Sequence, residues 1–193
     1  MKKIVLILFI FFGTATSYAQ SAKEMLKEIE GKWKLDENGN VVFTRKVEMP
    51  GHNMQELFNR SLEYYRSHYG NARSVSQTSD PNTGKIIRKG VFDNAHTGYT
   101  VLKAYVDAWH IFTLTATDNT VELSVVLTEY EEEYEQYGFV DEDSPRNIHK
   151  SKVQDNYPVN PNGGQKTIMT KAFYKAYKAS MESLDAIERG LKG

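Results

Sequence analysis

Residues 111–127 read IFTLTATDNTVELSVVL, and this stretch decides the fold. A run of β-branched and aromatic residues ends at Thr117, and the turn-forming pair Asp118-Asn119 follows it. After the turn, apolar residues alternate with polar ones, at Val121, Leu123, Val125 and Leu127. Alternation with a period of two predicts a strand with one buried face, so the stretch predicts an antiparallel hairpin.

The chain before this hairpin carries more strand patterns. Residues 41–49 alternate, and residues 74–78 and 85–92 flank a turn at Asp80-Pro81-Asn82-Thr83-Gly84. Residues 99–109 and 111–117 predict two further strands, with a short turn near 107–110 between them. A helix, described below, separates 41–49 from the later segments. The segments from 74–78 to 121–127 predict an antiparallel meander of about five strands after that helix.

Two helices are expected. The first follows Pro50-Gly51: Asn53 and Glu56 have the spacing of a capping box, and apolar residues then recur every three or four positions from Met54. The second is predicted at 166–192, from an apolar stripe with lysines beside it. Between the sheet and this helix, residues 129–165 predict a polar surface connection, and we interpret the acidic run within it as solvated rather than as a calcium site.

These elements predict one α+β domain over 41–193. Its architecture is a single antiparallel sheet of about five to six strands, with two helices on one face and the order β-α-β(4-5)-α. Residues 20–40 are interpreted as a lead-in to this domain.

The first nineteen residues have the layout of a secretory signal peptide. Lys2 and Lys3 precede an apolar run, and the small-residue site Ser17-Tyr18-Ala19 stands before Gln20. The apolar run is too short for a membrane-spanning helix, which needs about 20 residues. We therefore expect cleavage after Ala19 and a secreted or periplasmic product.

Composition narrows the function classes. The chain has no cysteine, which excludes disulfides, thiolate nucleophiles, cysteine-bound zinc and a lipid-modified cysteine as an anchor. Loss of Lys2 and Lys3 with the leader takes the formal net charge from −1 to −3, so nucleic acid is not an expected partner.

The element order and several residues resemble the DUF4468 family of secreted bacterial domains of unknown function. The resemblance covers about Val41 to Thr117 and is carried by the segment from Gly84 to Gly90, which reads GKIIRKG, together with the helix residues Glu56-Leu57-Phe58 and Tyr64-Tyr65. It implies a TBP-like fold and a Bacteroidetes-like setting, and it implies no activity. The DNA binding of the TATA-binding protein does not transfer, because a fold does not carry a function.

No catalytic, metal-binding or cofactor-binding motif stands out. The five histidines lack ligand spacing, and neither a nucleophile elbow nor a phosphate-binding loop occurs. One apolar-rich strand pattern places Tyr99, Val101, Lys103 and Tyr105 on a common face. Such a face is either covered by another segment of the chain, which is the favoured interpretation, or available as a binding surface for a partner.

Three hypotheses about function follow. The leading one is an exported, non-enzymatic domain that binds a protein, peptide or envelope component through a sheet face or edge. The second is a carrier of a small apolar ligand, with a pocket of at least about 300 Å³ between the C-terminal helix and the sheet. The third is an uncharacterised hydrolase with carboxylates converging in a cleft.

Overall fold

A computed structural model of the protein describes residues 20–68, 76–99, 103–135 and 147–193. The predicted leader at 1–19 lies outside these residues. The described elements are, in chain order, α1 (Ala22–Ile29), β1 (Lys34–Leu35), β2 (Val41–Glu48), α2 (Met54–His68), β3 (Ser76–Asp80), β4 (Lys85–Tyr99), β5 (Lys103–Thr117), β6 (Thr120–Glu135), β7 (Asn147–Lys152) and α3 (Lys166–Lys192).

The strands form one antiparallel sheet in the order β1-β2-β6-β5-β4-β3. The seventh strand, β7, pairs with the second half of β6, whose first half pairs with β2. The hairpin predicted at 111–127 joins β5 to β6, with Thr117 opposite Thr120.

One face of the sheet carries the core, and we call it the inner face. Its positions on β5 are Ala104, Val106, Ala108, His110, Phe112, Leu114 and Ala116, and all but His110 are buried. Helices α2 and α3 both pack on this face, and α1 packs on α3. The predicted α+β architecture is therefore confirmed, with seven strands rather than five to six.

Strand β5 is continuous, so the predicted turn near 107–110 is wrong. All of its residues from Lys103 to Thr117 are paired with β6, and the register shifts by one residue in that partner strand: Trp109 faces Glu129, His110 faces Leu127, and Thr128 is skipped. The Thr128 hydroxyl donates a hydrogen bond to the Trp109 carbonyl oxygen at 3.3 Å. A β-bulge absorbs the mismatch and keeps the strand intact.

The polar connection expected at 129–165 also differs from the structure. Strand β6 continues to Glu135, β7 occupies 147–152, and a 3-10 turn follows at Val153–Asp155. The reason is that Tyr130, Glu132 and Tyr134 face inward, while the glutamates between them face outward. Residues 136–146 lie outside the described residues.

The helices begin and pack as their sequences require. The capping box of α2 is confirmed: the Glu56 N–H donates to Asn53 Oδ1 at 2.9 Å, and the Asn53 N–H donates to Glu56 Oε2 at 3.1 Å. Helix α3 spans Lys166–Lys192, where the apolar stripe predicts a helix. Gly190 lets α3 approach α2 closely, because a Cβ there would overlap the Tyr64 ring.

The lead-in at 20–40 contains structure that the sequence interpretation missed. Helix α1 starts with its own capping box, formed by Ser21 and Glu24, and its Ile29 is fully buried. The Tyr174 hydroxyl of α3 donates to Glu28 Oε2 at 2.7 Å. These contacts join α1 to the helix layer.

Candidate functional site

The structure describes the predicted binding surface only in part, and it divides the described part between two paired strands. Tyr99 ends β4 and Lys103 begins β5, where their backbones pair across the strands, so these residues do not lie on a single strand. Val101 lies outside the described residues, as do the side chains of Tyr99 and Lys103. Tyr105 is described, and it is half-buried in β5, opposite Thr97 and Glu133.

Tyr105 belongs to the face of the sheet that lies opposite α2 and α3, which we call the outer face. Its apolar members are Val42, Ile87, Val91, Tyr105, Trp109, Ile111 and Val126, and all are half-buried. Its hydroxyl members include Thr44, Thr113, Thr115 and Ser124. No described helix covers this face, because the three described helices form the layer on the inner side.

Trp109 lies at the centre of the outer face. The Nζ atoms of Lys89 and Lys150 lie 5.2 and 5.6 Å from its ring centroid, within cation–π range. Its indole Nε1–H donates to Glu131 Oε2 at 3.1 Å. Lys150 lies 3.1 Å from the same carboxylate, and Lys89 lies 3.8 Å from Glu129. Charges of both signs therefore hold a partly exposed indole in one orientation.

Two edge strands expose large apolar side chains. Ile148 of β7 is 55% exposed, and Leu35 of β1 is 51% exposed. Ile148 pairs with Glu133, which places it beside the outer face at the edge of the sheet. An edge strand presents backbone donors and acceptors to a further strand, and an exposed isoleucine adds an apolar contact to such an edge.

On the inner face, the acidic run contributes a buried carboxylate. Glu132 is only 3% exposed. It accepts hydrogen bonds from the Tyr134 hydroxyl and, at 3.1 Å, from the Ser151 hydroxyl. Gln165 Nε2 donates to the Tyr134 hydroxyl at 2.7 Å, and Asn156 Nδ2 donates to Ser151 Oγ at 2.8 Å. The expectation of a wholly solvated run is therefore wrong at Glu132, which links β6, β7 and the start of α3.

A cavity of about 90 Å³ lies between the helix layer and the sheet. Its polar lining residues are Tyr65, Arg88, Lys89, His110 and Ser183, and its apolar lining includes Phe112 and Ile187. This is the location predicted for a ligand pocket, but the volume is well below the roughly 300 Å³ that a drug-sized ligand needs.

Two histidines lie on the inner face, where His96 is buried and His110 is half-buried. Burial lowers the pKa of His110 to about 4, against a hydrogen bond with the Ala108 backbone that raises it. Burial lowers the pKa of His96 to about 4 as well, with Lys175 and Lys171 adding to the shift. The His110 ring stacks on Phe92 with centroids 3.9 Å apart. Both imidazoles are therefore neutral at pH 7.

The described residues contain no group of three or more His, Asp or Glu side chains that could hold a metal ion. In the same part of the chain, no helix is both long enough and apolar enough to cross a bilayer.

The sheet and helix order can now be compared with known proteins. Residues 43–130 match the model of DUF4468, described as a domain of unknown function with a TBP-like fold. The predicted resemblance is confirmed. The match extends the resemblance beyond Thr117, through β6 to Tyr130, and it ends before β7 and α3.

Solved structures agree with this assignment. A TBP-like protein from Parabacteroides distasonis superposes with a TM-score of 0.55 at 18% identity, over 82% of this chain and 96% of that one. A DUF4468 family protein from Bacteroides ovatus superposes with a TM-score of 0.58 at 12% identity, over 84% of this chain and 92% of that one. No curated protein sequence matches the chain. At these identities the likeness shows the fold alone.

Proposed function

We propose that this chain is an exported, non-enzymatic binding domain that recognises a protein, peptide or envelope component through its outer sheet face. The observation that carries the proposal is Trp109, held in place by Lys89, Lys150 and Glu131 on a face that no described helix covers. The family match supplies a fold and no activity, so the proposal rests on this surface.

The chemistry of this surface suits a macromolecular partner. Tryptophan is enriched among the residues that dominate binding energy in interfaces, because a large rigid ring loses little entropy when it is covered. The apolar residues around Trp109 extend over four strands, and hydroxyl groups continue the face on one side. A broad sheet face of this kind fits another protein surface or an extended peptide.

The edge at β7 offers a second contact for the same partner. Ile148 adjoins the outer face, and the strand carrying it pairs with β6 alone among the described strands. A partner strand added at this edge would form backbone hydrogen bonds while its side chains reach the outer face.

The two other hypotheses gain less support. A carrier of a drug-sized apolar ligand needs a larger cavity than the 90 Å³ between the helices and the sheet. A hydrolase needs converging carboxylates in a cleft, whereas no described residue lining that cavity is acidic, and buried Glu132 is held by Tyr134 and Ser151.

The absence of cysteine allows a direct test. A photoreactive benzophenone is attached to the single thiol of Thr113→Cys on the outer face. The control is Glu182→Cys, at an exposed position of α3. Both proteins are irradiated in envelope extract, and partners are identified by mass spectrometry. We expect a partner that crosslinks from position 113 and not from position 182.

The affinity of the purified partner then measures the contribution of the surface. We expect Trp109→Ala, and to a smaller extent Tyr105→Ala, to weaken binding, with Trp109→Ala costing at least about tenfold, as interface tryptophans do. Glu182→Ala should have no effect. Equal crosslinking from both positions, or an unchanged affinity of Trp109→Ala, would contradict the proposal.

Export is tested separately by the mass of the protein recovered from the periplasm or medium. We expect a chain that begins at Gln20. Exported protein that still begins at Met1 would contradict cleavage and leave the surface proposal intact.

A further inference from the structure

The cavity between the helix layer and the sheet has a polar wall that the binding function does not use. Arg88 of β4, His110 of β5, Tyr65 of α2 and Ser183 of α3 all line it. These side chains come from four different elements, so their convergence is a product of the tertiary fold.

The absence of a side chain at Gly90 belongs to the same arrangement. Gly90 pairs with His110 across β4 and β5, and it also lines the cavity. A Cβ at position 90 would lie 3.1 Å from His110 Nε2. Stacking on Phe92 holds the imidazole from one side, and Gly90 leaves room for it on the sheet.

The lining carries cationic groups at Arg88 and Lys89. Arginine stays protonated, and the low pKa of His110 keeps the imidazole neutral at pH 7. None of the described residues that line the cavity is aspartate or glutamate. The Arg88 guanidinium lies 4.8 Å above the Tyr65 ring, and its planar group carries five N–H donors, so it can serve more than one acceptor.

Size limits the class of ligand. A water needs roughly 10–15 Å³ of such a cavity, so the volume admits several waters or one short organic anion, and nothing of drug size. The apolar wall at Phe112, Val125 and Ile187 suits a short hydrocarbon end. We propose that this cavity binds a small aliphatic carboxylate, with its charged end at Arg88 and hydrogen-bonding groups of Tyr65, His110 or Ser183 beside it.

The probes for this site are propionate and its neutral analogue propionamide, titrated into the purified chain and followed by NMR shifts of the cavity residues. We expect propionate to bind at least about tenfold more tightly than propionamide, because charge-assisted hydrogen bonds are the stronger ones. Arg88→Met should remove this preference. The matched control Lys85→Met removes an exposed cation from the same strand and should retain it.

A second variant keeps the proposal testable if Arg88→Met fails to fold. Ser183→Leu fills the cavity from α3 and leaves every charge in place, and we expect it to abolish binding of both probes. Equal affinity for the two probes, no saturable binding by the unaltered chain, or unchanged binding by Ser183→Leu would each overturn the site. None of these results depends on the outer face, so this site and the proposed binding function succeed or fail separately.

Discussion

The two faces of strand β5 differ in burial. Ala108, Leu114 and Ala116 on the inner face are completely buried, while Thr113, Thr115 and Trp109 on the outer face are only half-buried. The two sets alternate along one continuous strand, so they share backbone, register and neighbouring strands. The described helices pack on the inner side of this strand.

This difference separates stability from recognition. Burial of apolar area supplies most of the free energy of folding, and here that area lies between the sheet and α2 and α3. The outer face contributes less to the free energy of folding, so its residues can carry a binding function with little loss of stability. The predictions below test this division, beginning with the largest expected effect.

Adjacent alanine substitutions in β5 compare the two faces directly. We expect Leu114→Ala to lower the free energy of unfolding by about 2–5 kcal/mol, since it leaves a cavity in the core. Thr113→Ala, one residue away, should change it by less than about 1 kcal/mol. Urea denaturation measures both values, and similar losses from the two variants would contradict the division between the faces.

The pH dependence of stability tests whether the inner face keeps His110 neutral in the folded chain. In the unfolded chain His110 takes up a proton below about pH 6.5, whereas in the folded chain it does so only near pH 4. The contribution of His110 to the free energy of unfolding is therefore complete above pH 6.5, falls as the pH drops from 6.5 to 4, and is lost below pH 4. Its upper limit is about 3 kcal/mol.

His110→Phe removes this titration while keeping a ring against Phe92. We expect the unfolding free energy of this variant to depend less steeply on pH between 6.5 and 4 than that of the unaltered chain. Two parallel profiles would show that burial of His110 does not control this part of the pH dependence.

Two glutamates of the acidic run give a smaller contrast between the faces. Glu132→Gln replaces a buried carboxylate that accepts two hydrogen bonds, and we expect a loss of about 1–3 kcal/mol in unfolding free energy. Glu129→Gln affects an outward carboxylate that is 39% exposed and lies 3.8 Å from Lys89, so its effect should be below about 1 kcal/mol. Thermal unfolding of both variants measures the two losses of stability. Equal losses would show that the hydrogen bonds to Glu132 are not formed.

The local patterns of the sequence predict much of this fold. Alternation at 121–127 and the capping box at Asn53 and Glu56 are local signals, and each one is present in the structure as predicted. The helix stripe that begins at 166 likewise follows from side chains three and four positions apart.

Two of the errors occur where a polar residue faces inward. Glu132 made a strand segment resemble a polar connection, because the sequence pattern does not show that Tyr134 and Ser151 donate hydrogen bonds to it. His110 made another strand segment resemble a turn, because the pattern does not show that its ring stacks on Phe92. Tyr130 and Tyr134, which alternate with the outward glutamates, were the signal that could have extended β6.

The sequence pattern indicated only part of the surface that we propose as the binding site. An apolar-rich strand pattern indicated a surface near Tyr105, which lies on the outer face. The centre at Trp109 was missed because its contacts come from β4, β6 and β7, and their register depends on the β-bulge at Thr128. The cavity at Arg88 and His110 depends on four elements and gives no local signal.

Thiol accessibility along β5 tests the central claim most directly, since the chain has no cysteine of its own. Single variants Thr113→Cys and Thr115→Cys on the outer face are compared with Ala108→Cys and Ala116→Cys on the inner face, by the rate of maleimide labelling in the folded protein. The account predicts rapid labelling at 113 and 115, and labelling at 108 and 116 only after addition of denaturant. Protection at all four positions, or rapid labelling at all four, would contradict a sheet with one face covered by helices and the other open for binding.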